Sequence, residues 1–309
     1  MPSVQWDLFY EIIEDGMLTG FLLCFCEESF CAENFEFLLA VKKFHDLFPR
    51  KTWVTYDALD KKDENDQMYT DGVQKFDENF DDAHCQEIVG EIQRLFKLYL
   101  DPTSATAEVC LPFECVENTR RRMKYFKAYG PDVFAEATVE PTKALVRDVM
   151  PRFMMSERCK QMYRRREERT QELPSSINIP APKLNNSLRK SGKMKELLTP
   201  EAIDEYVNDF NNYCKDVTLY EALLVYLKKM VAAENLLCYR AIDVFEQCVS
   251  SAGSTEQGVS TAWMIYRYFL VSGSPYEVSV DPKKLYTISR KMCKPEAGMF
   301  DHMKVSLDL

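Results

Sequence analysis

Apolar residues along this chain recur at helical intervals. Trp6, Phe9, Tyr10 and Ile13 stand at i, i+3, i+4 and i+7, the spacing that turns one face of a helix toward a core. Leu18, Phe21, Leu22 and Phe25 repeat it, as do Phe37, Leu38, Val41 and Phe44. Ile88, Ile92, Leu95, Phe96 and Tyr99 form a fourth stripe. No alternating run of useful length suggests a strand, so the pattern predicts an all-α chain. Between Pro141 and Glu168 it predicts a helix broken near Pro151, because proline starts helices but has no N–H with which to continue one. Residues 170–198 hold Pro174, Pro180 and Pro182 among serines and asparagines and read as a linker. Thr199, Pro200 and Glu201 then open a helix with Thr as N-cap and Pro at its first position. Ile203, Tyr206, Val207 and Phe210 are its apolar face.

The two halves repeat each other. FCEESFCAENFEFLLAVKKF (25–44) lies without gaps on YLKKMVAAENLLCYRAIDVF (226–245), with Asn34 on Asn235. YLDPTSATAEVCLP (99–112) pairs with FLVSGSPYEVSVDP (269–282) when a shift of one residue is allowed, with Glu108 on Glu277. The offsets are 201 and 169, so the first unit carries about 32 extra residues between the two anchors. The extra length is acidic: residues 57–91 hold twelve Asp or Glu and three Lys, a balance of −9 against −10 for the whole chain. The spacing is not that of an EF-hand loop. A solvated, partly disordered segment is expected there.

With 309 residues the chain is long enough for two domains, and a hydrophobic fraction of 46% can fill their cores. The net charge argues against a nucleic-acid surface. Eleven cysteines, an odd number with no C-x-x-C pair, point to reduced thiols rather than a disulfide framework, and so to the cytoplasm. No apolar run approaches the ~18–20 residues of a membrane span. Pro2 excludes N-myristoylation, and the C-terminal residues are not a prenylation box. His45, His84 and His302 are isolated, so no zinc site is expected. His84 and Cys85 are neighbours in sequence, which does not make a catalytic dyad. The glycine spacing of GSTEQG (253–258) lacks the following Lys-Ser/Thr of a phosphate-binding loop. Arg120–Arg122 and Arg164–Arg166 read as solvated helix faces, with recruitment to an anionic inner membrane surface as the alternative.

An ordered set of short motifs remains. Phe25 precedes Glu33, Asn34, Phe35 and Phe37; then come Tyr99 to Ser104, Glu108 to Pro112, and Asp148, Arg152 and Phe153. In this order the chain resembles the regulator of G-protein signalling (RGS) family over roughly residues 4–168 and, less completely, 200–309. The resemblance implies two tandem RGS-like helical bundles. The first is 1–169 with the acidic insertion at about 57–91. A linker at 170–198 leads to the second, 199–309. It also implies binding to the switch regions of a heterotrimeric G-protein α subunit, GTP-bound or in its transition state, and faster GTP hydrolysis there. No catalytic group, metal or cofactor is contributed. The α subunit brings its own arginine and a water-orienting glutamine, and the partner holds them in place.

Carried over residue by residue, the implied contacts are Glu33, Asn34, Cys110, Asp148, Arg152, Ser29 and Val149. Three depart from the common pattern. Cys110 stands where Asn or Ser is usual, and a thiol is a poor donor and acceptor. Ser29 stands where Glu is frequent, and Val149 where a small polar residue is common. The second unit keeps Glu234, Asn235 and Ser279, while counterparts of Asp148 and Arg152 would fall beyond Leu309, near position 317. These departures leave a second reading open: a scaffold with the fold and other protein partners but no effect on GTP hydrolysis.

Overall fold

A computed structural model describes residues 2–48, 82–124, 130–174, 176–182, 217–230, 232–250 and 255–304. The helix start expected at Thr199 and most of the acidic insertion lie outside these residues. Among the described residues all regular structure is helical. The chain divides into two compact units: Met1–Glu14 with Leu22–Cys159, and Asp15–Phe21 with Lys160–Leu309.

The first unit draws on α1 (Pro2–Glu14), the C-terminal part of α2 (Gly16–Glu28), α3 (Ala32–His45), α4 (Asp82–Leu95), α5 (Phe113–Lys124), α6 (Ala135–Ala144) and α7 (Met150–Met154). Its centre is aromatic. Phe37 of α3 meets Tyr99 at 5.4 Å between ring centroids and Phe134 edge-on at 6.3 Å, and Phe44 meets the same Phe134 at 5.4 Å. Phe35 of α3 meets Phe9 of α1 at 6.2 Å, and Phe25 of α2 meets Phe153 of α7 at 5.5 Å. Tilted and edge-on pairs of this kind add roughly 0.5–1.5 kcal/mol each beyond the area they bury. The stripes on α3 and α4 are therefore core, and so is most of the one on α2, but the first is not: on α1 it is Leu8, Phe9 and Ile12 that are buried, while Tyr10 is exposed and Trp6 and Ile13 are half-buried. The last ten residues of the acidic segment belong to α4 with Ile88 buried, so the solvated reading does not extend to them.

Two π turns interrupt the helices of this unit. Phe96–Leu100 continues α4, and Leu145–Val149 joins α6 to α7. The break expected near Pro151 takes the form of the second of these turns, which ends where α7 begins. Pro141 sits inside α6 and Pro151 in the first turn of α7. The Met150 N–H bonds back five residues to the Leu145 carbonyl. The Arg152 Nε donates to the Asp148 carbonyl at 3.0 Å.

One buried histidine makes the unit sensitive to acid. His45 Nε2–H donates to the Pro131 carbonyl at 3.0 Å. Burial pushes its pKa down to about 4 from 6.5. The adjoining Asp132 is pushed up by burial to about 6, against the pull of Arg122. Stability from His45 is present above pH 6.5 and is lost as pH falls through 4. Stability from Asp132 is present below its ordinary value of 3.8 and is lost as pH rises through 6. The two slopes oppose each other in that window. His45→Gln keeps a donor and removes one slope. Against the native chain it should gain about 1–3 kcal/mol between pH 7 and pH 4, read by denaturant melts; parallel profiles would refute the assignment.

The second unit contains Asp15–Phe21, the part of α8 (Glu157–Thr170) from Lys160 onward, α9 (Val217–Met230), α10 (Glu234–Ser250), α11 (Glu256–Ile265), α12 (Pro282–Arg290) and α13 (Asp301–Lys304). Its helix starts are chemically marked. Asp15 Oδ1 accepts from the Met17 and Leu18 N–H groups, Thr255 caps α11, and Asp281 caps α12 with Pro282 behind it. Gly20 lies so close to α12 that a Cβ there would come within 2.0 Å of the Arg290 carbonyl oxygen. Arg169 pairs with Asp15 at 2.6 Å, and the Arg165 guanidinium lies over the Trp263 ring, 4.9 Å from its centroid. Arg240 is 4% exposed. It donates to the Pro180 and Ala181 carbonyls and pairs with Asp243, which ties the described end of the expected linker to α10.

Local geometry in the second unit repeats that of the first. A π turn at Tyr266–Leu270 corresponds to the one at Phe96–Leu100. Val109 N–H bonds the Tyr99 carbonyl, and Val278 N–H bonds that of Phe269, both at 2.9 Å. Ser104 N–H bonds the Asp101 carbonyl as Ser274 N–H bonds that of Val271. The Phe44–Phe134 contact has a parallel in Phe245–Phe300, 5.1 Å apart and edge-on.

Candidate protein-binding site

The turn between α2 and α3 carries three of the implied contacts. Helix α2 stops because Phe30 takes a left-handed backbone, φ +54°. The Cys31 N–H then bonds the Cys26 carbonyl at 2.9 Å and the Phe30 N–H bonds that of Glu27 at 3.2 Å, which is the double closure of a Schellman cap. Glycine is the usual residue at that position. A bulky side chain costs roughly 1–2 kcal/mol, and such strain gathers where a surface has work to do. Phe30 is also 95% exposed. Ser29 precedes it, half-buried, its N–H bonded to the Phe25 and Cys26 carbonyls.

Glu33 and Asn34 stand in the first turn of α3, half-buried. Their bland role would be to cap that helix. The N-cap is Cys31, it makes no side-chain cap bond, and the Asn34 amide forms no hydrogen bond among the described residues. Asp148 and Arg152 could have formed an ordinary i, i+4 ion pair. Arg152 instead reaches the Asp148 backbone carbonyl, leaving the exposed Asp148 carboxylate outward. The Cys26 thiol lies in the fields of both Glu33 and Arg152. Phe25 of the same helix α2 packs edge-on against Phe153 of α7, so the end of α2 that leads into the turn before α3 lies beside α7.

Cys110 is exposed and its thiol is free. It follows buried Val109 on an extended segment. Ahead of that segment the Asp101 carboxylate accepts from the Thr103 N–H and from the Thr103 and Ser104 hydroxyls, at 2.7–3.1 Å. The D-P-T-S motif is thus a turn that closes on its own aspartate. Val149 is 6% exposed within the π turn. Its side chain is buried and offers little surface to a partner. In the second unit Glu234 and Asn235 are half-buried at the start of α10, and Ser279 is exposed after buried Val278.

Sequence reasoning passed over the exposed apolar residues. Besides Phe30, Phe113 is 75% and Met155 78% exposed. Each flanks an implied contact in the chain: Ser29, Cys110 and Arg152 respectively. The available signal was that Phe30 falls off the stripe ending at Phe25 and Phe113 directly follows Pro112. Among the described residues no group of three or more His, Cys, Asp or Glu could hold a metal, and no helix is long and apolar enough to cross a membrane.

The regulator of G protein signaling domain family matches residues 9–162. The chain carries one RGS domain. That match runs from within α1 to beyond α7 and takes in every implied contact of the first unit. No curated protein and no solved structure matches the chain. The RGS domain ties the chain to regulation of G-protein signalling and to G-protein α subunits as the general class of partner.

Proposed function

We propose that the RGS domain binds the switch regions of an activated α subunit and accelerates its GTP hydrolysis, with Glu33, Asn34, Asp148 and Arg152 as principal contacts and Ser29 and Cys110 beside them. The supporting observation is that Asn34 and the Asp148 carboxylate are left unused by the fold: Asn34 neither caps α3 nor forms a hydrogen bond among the described residues, and Arg152 takes the Asp148 backbone carbonyl rather than its carboxylate. The domain adds no reacting group. It binds the transition-state arrangement of the α subunit's own arginine and glutamine more tightly than the ground state, and each tenfold of rate needs about 1.4 kcal/mol of such preference.

Cys110 sets the level of that activity. Replacing Cys110 with Asn supplies a donor and an acceptor on an exposed segment. It should raise the acceleration by about tenfold, equivalent to ~1.4 kcal/mol, in single-turnover hydrolysis with purified α subunits. Equal rates for the two proteins would remove Cys110 from the contact set.

The second unit is proposed as a divergent copy of the first, supported by its matching π turn and hydrogen bonds, with Glu234, Asn235 and Ser279 as counterparts. It serves as a docking module for other proteins rather than as a second activator. If the intact chain binds no α subunit in the GDP–aluminium fluoride state, the scaffold reading replaces the activator reading for both units.

A further inference from the structure

The cap that ends α2 has an unusual chemical composition. A Schellman closure brings the residues at its two ends together, and an apolar contact between them commonly accompanies it. Here those residues are Cys26 and Cys31. The 2.9 Å bond from the Cys31 N–H to the Cys26 carbonyl limits their Cα separation to roughly 7 Å, given standard backbone lengths. Disulfides span about 4.4–6.8 Å. Both thiols are free, Cys26 fully buried and Cys31 half-buried, and each lies close enough to feel the other's charge.

We propose that Cys26 and Cys31 close a reversible disulfide, formed by a peroxide, that locks the turn bearing Ser29, Phe30, Glu33 and Asn34. The half-buried Cys31 reacts first. Its thiolate sulfur attacks one peroxide oxygen, the O–O bond breaks, and the departing hydroxide takes up the thiol proton as water, leaving a sulfenic acid. The Cys26 sulfur then attacks the Cys31 sulfur. The S–S bond forms, the S–O bond breaks, and hydroxide leaves with the Cys26 proton as a second water. Two thiols lose two electrons and one peroxide becomes two waters. Burial holds the Cys26 thiol well above the ordinary thiol range, with Cys31 and Glu33 adding to the shift and Arg152 opposing it. Closure is therefore slow near neutral pH and quickens as pH rises. The link ties the two ends of a cap whose middle residue is left-handed, so the turn can no longer relax that strain by unwinding. Its effect on α-subunit binding rests on the function proposed above; the disulfide itself does not.

The test uses the intact chain treated with hydrogen peroxide at two pH values, blocked with a maleimide, digested and mapped by mass spectrometry. The expected result is a Cys26–Cys31 link with the loss of two hydrogens, more at the higher pH, reversed by dithiothreitol and absent from Cys31→Ser and Cys26→Ala. Amide exchange over 29–34 should slow by about tenfold in the linked form. A Cys31 sulfinic or sulfonic acid without a link, a link to a different cysteine, or intact thiols after treatment would each overturn the proposal. Linked and reduced chains are then compared for binding to an α subunit in its GDP–aluminium fluoride state, the linked chain being expected to bind at least threefold tighter. Equal binding would refute the coupling. If neither form binds, the proposed function falls while the disulfide stands or falls on the masses alone.

Discussion

Asn34→Ala should cancel most of the acceleration that the intact chain gives to single-turnover GTP hydrolysis, a loss of about ten- to a hundredfold, ~1.4–2.8 kcal/mol. The expectation comes from what Asn34 does not do. It stands in the first turn of α3 without capping it, so its removal leaves the fold intact and its unfolding midpoint nearly unchanged. Asp148→Ala should act in the same direction, because its carboxylate is exposed and Arg152 is engaged with its backbone instead. Arg152→Ala should cost both activity and some stability, since it removes the donor to the Asp148 carbonyl. Hydrolysis by a panel of α subunits, read beside thermal melts, separates the two effects. Equal acceleration by the native chain and by the Asn34→Ala variant would exclude this turn from the interface.

Residues 196–309 expressed alone should fail to unfold cooperatively. The fragment keeps α9 to α13 but loses Asp15–Phe21, Lys160–Thr170 and the 176–182 segment, all of which belong to the same compact unit. Trp263 and Tyr266, now 7% and 6% exposed, would lose the Arg165 guanidinium that covers the indole. The buried Arg240 would lose the Pro180 and Ala181 carbonyls, at roughly 1–3 kcal/mol for an unsatisfied polar group. Newly wetted apolar area adds about 25 cal/mol per Å². Set against a typical domain stability of about 5–15 kcal/mol, these losses are decisive. Calorimetry and sedimentation of the fragment check this. A monomeric, cooperative transition near that of the intact chain would show that the missing segments contribute little.

The helices were legible in the sequence because burial imposes a period, and the period survives in Phe37, Leu38, Val41 and Phe44 whatever else varies. The E-N motif and the Asp148–Arg152 turn were legible only as motifs in a fixed order. Hydrogen-bond register was not, because no residue type marks a π turn. The Cys26–Cys31 spacing was visible too, but five residues mean little until the helix is known to end between them. His45 read as an isolated histidine, and only packing around Pro131 reveals that it is held neutral.

Each π turn holds one residue more than an α-helical turn, and this makes chain length there a stricter requirement than residue identity. Deleting one residue within Phe96–Leu100 would restore α-helical bonding and rotate everything after it by about 100°. The Tyr99 ring, 5.4 Å from Phe37, would swing out of the core, and the aspartate-closed turn behind it would start from the wrong side of the helix. Point substitutions leave that phase untouched. Over evolutionary time, relatives of this chain should therefore accept many exchanges at these three places and almost no single-residue gaps.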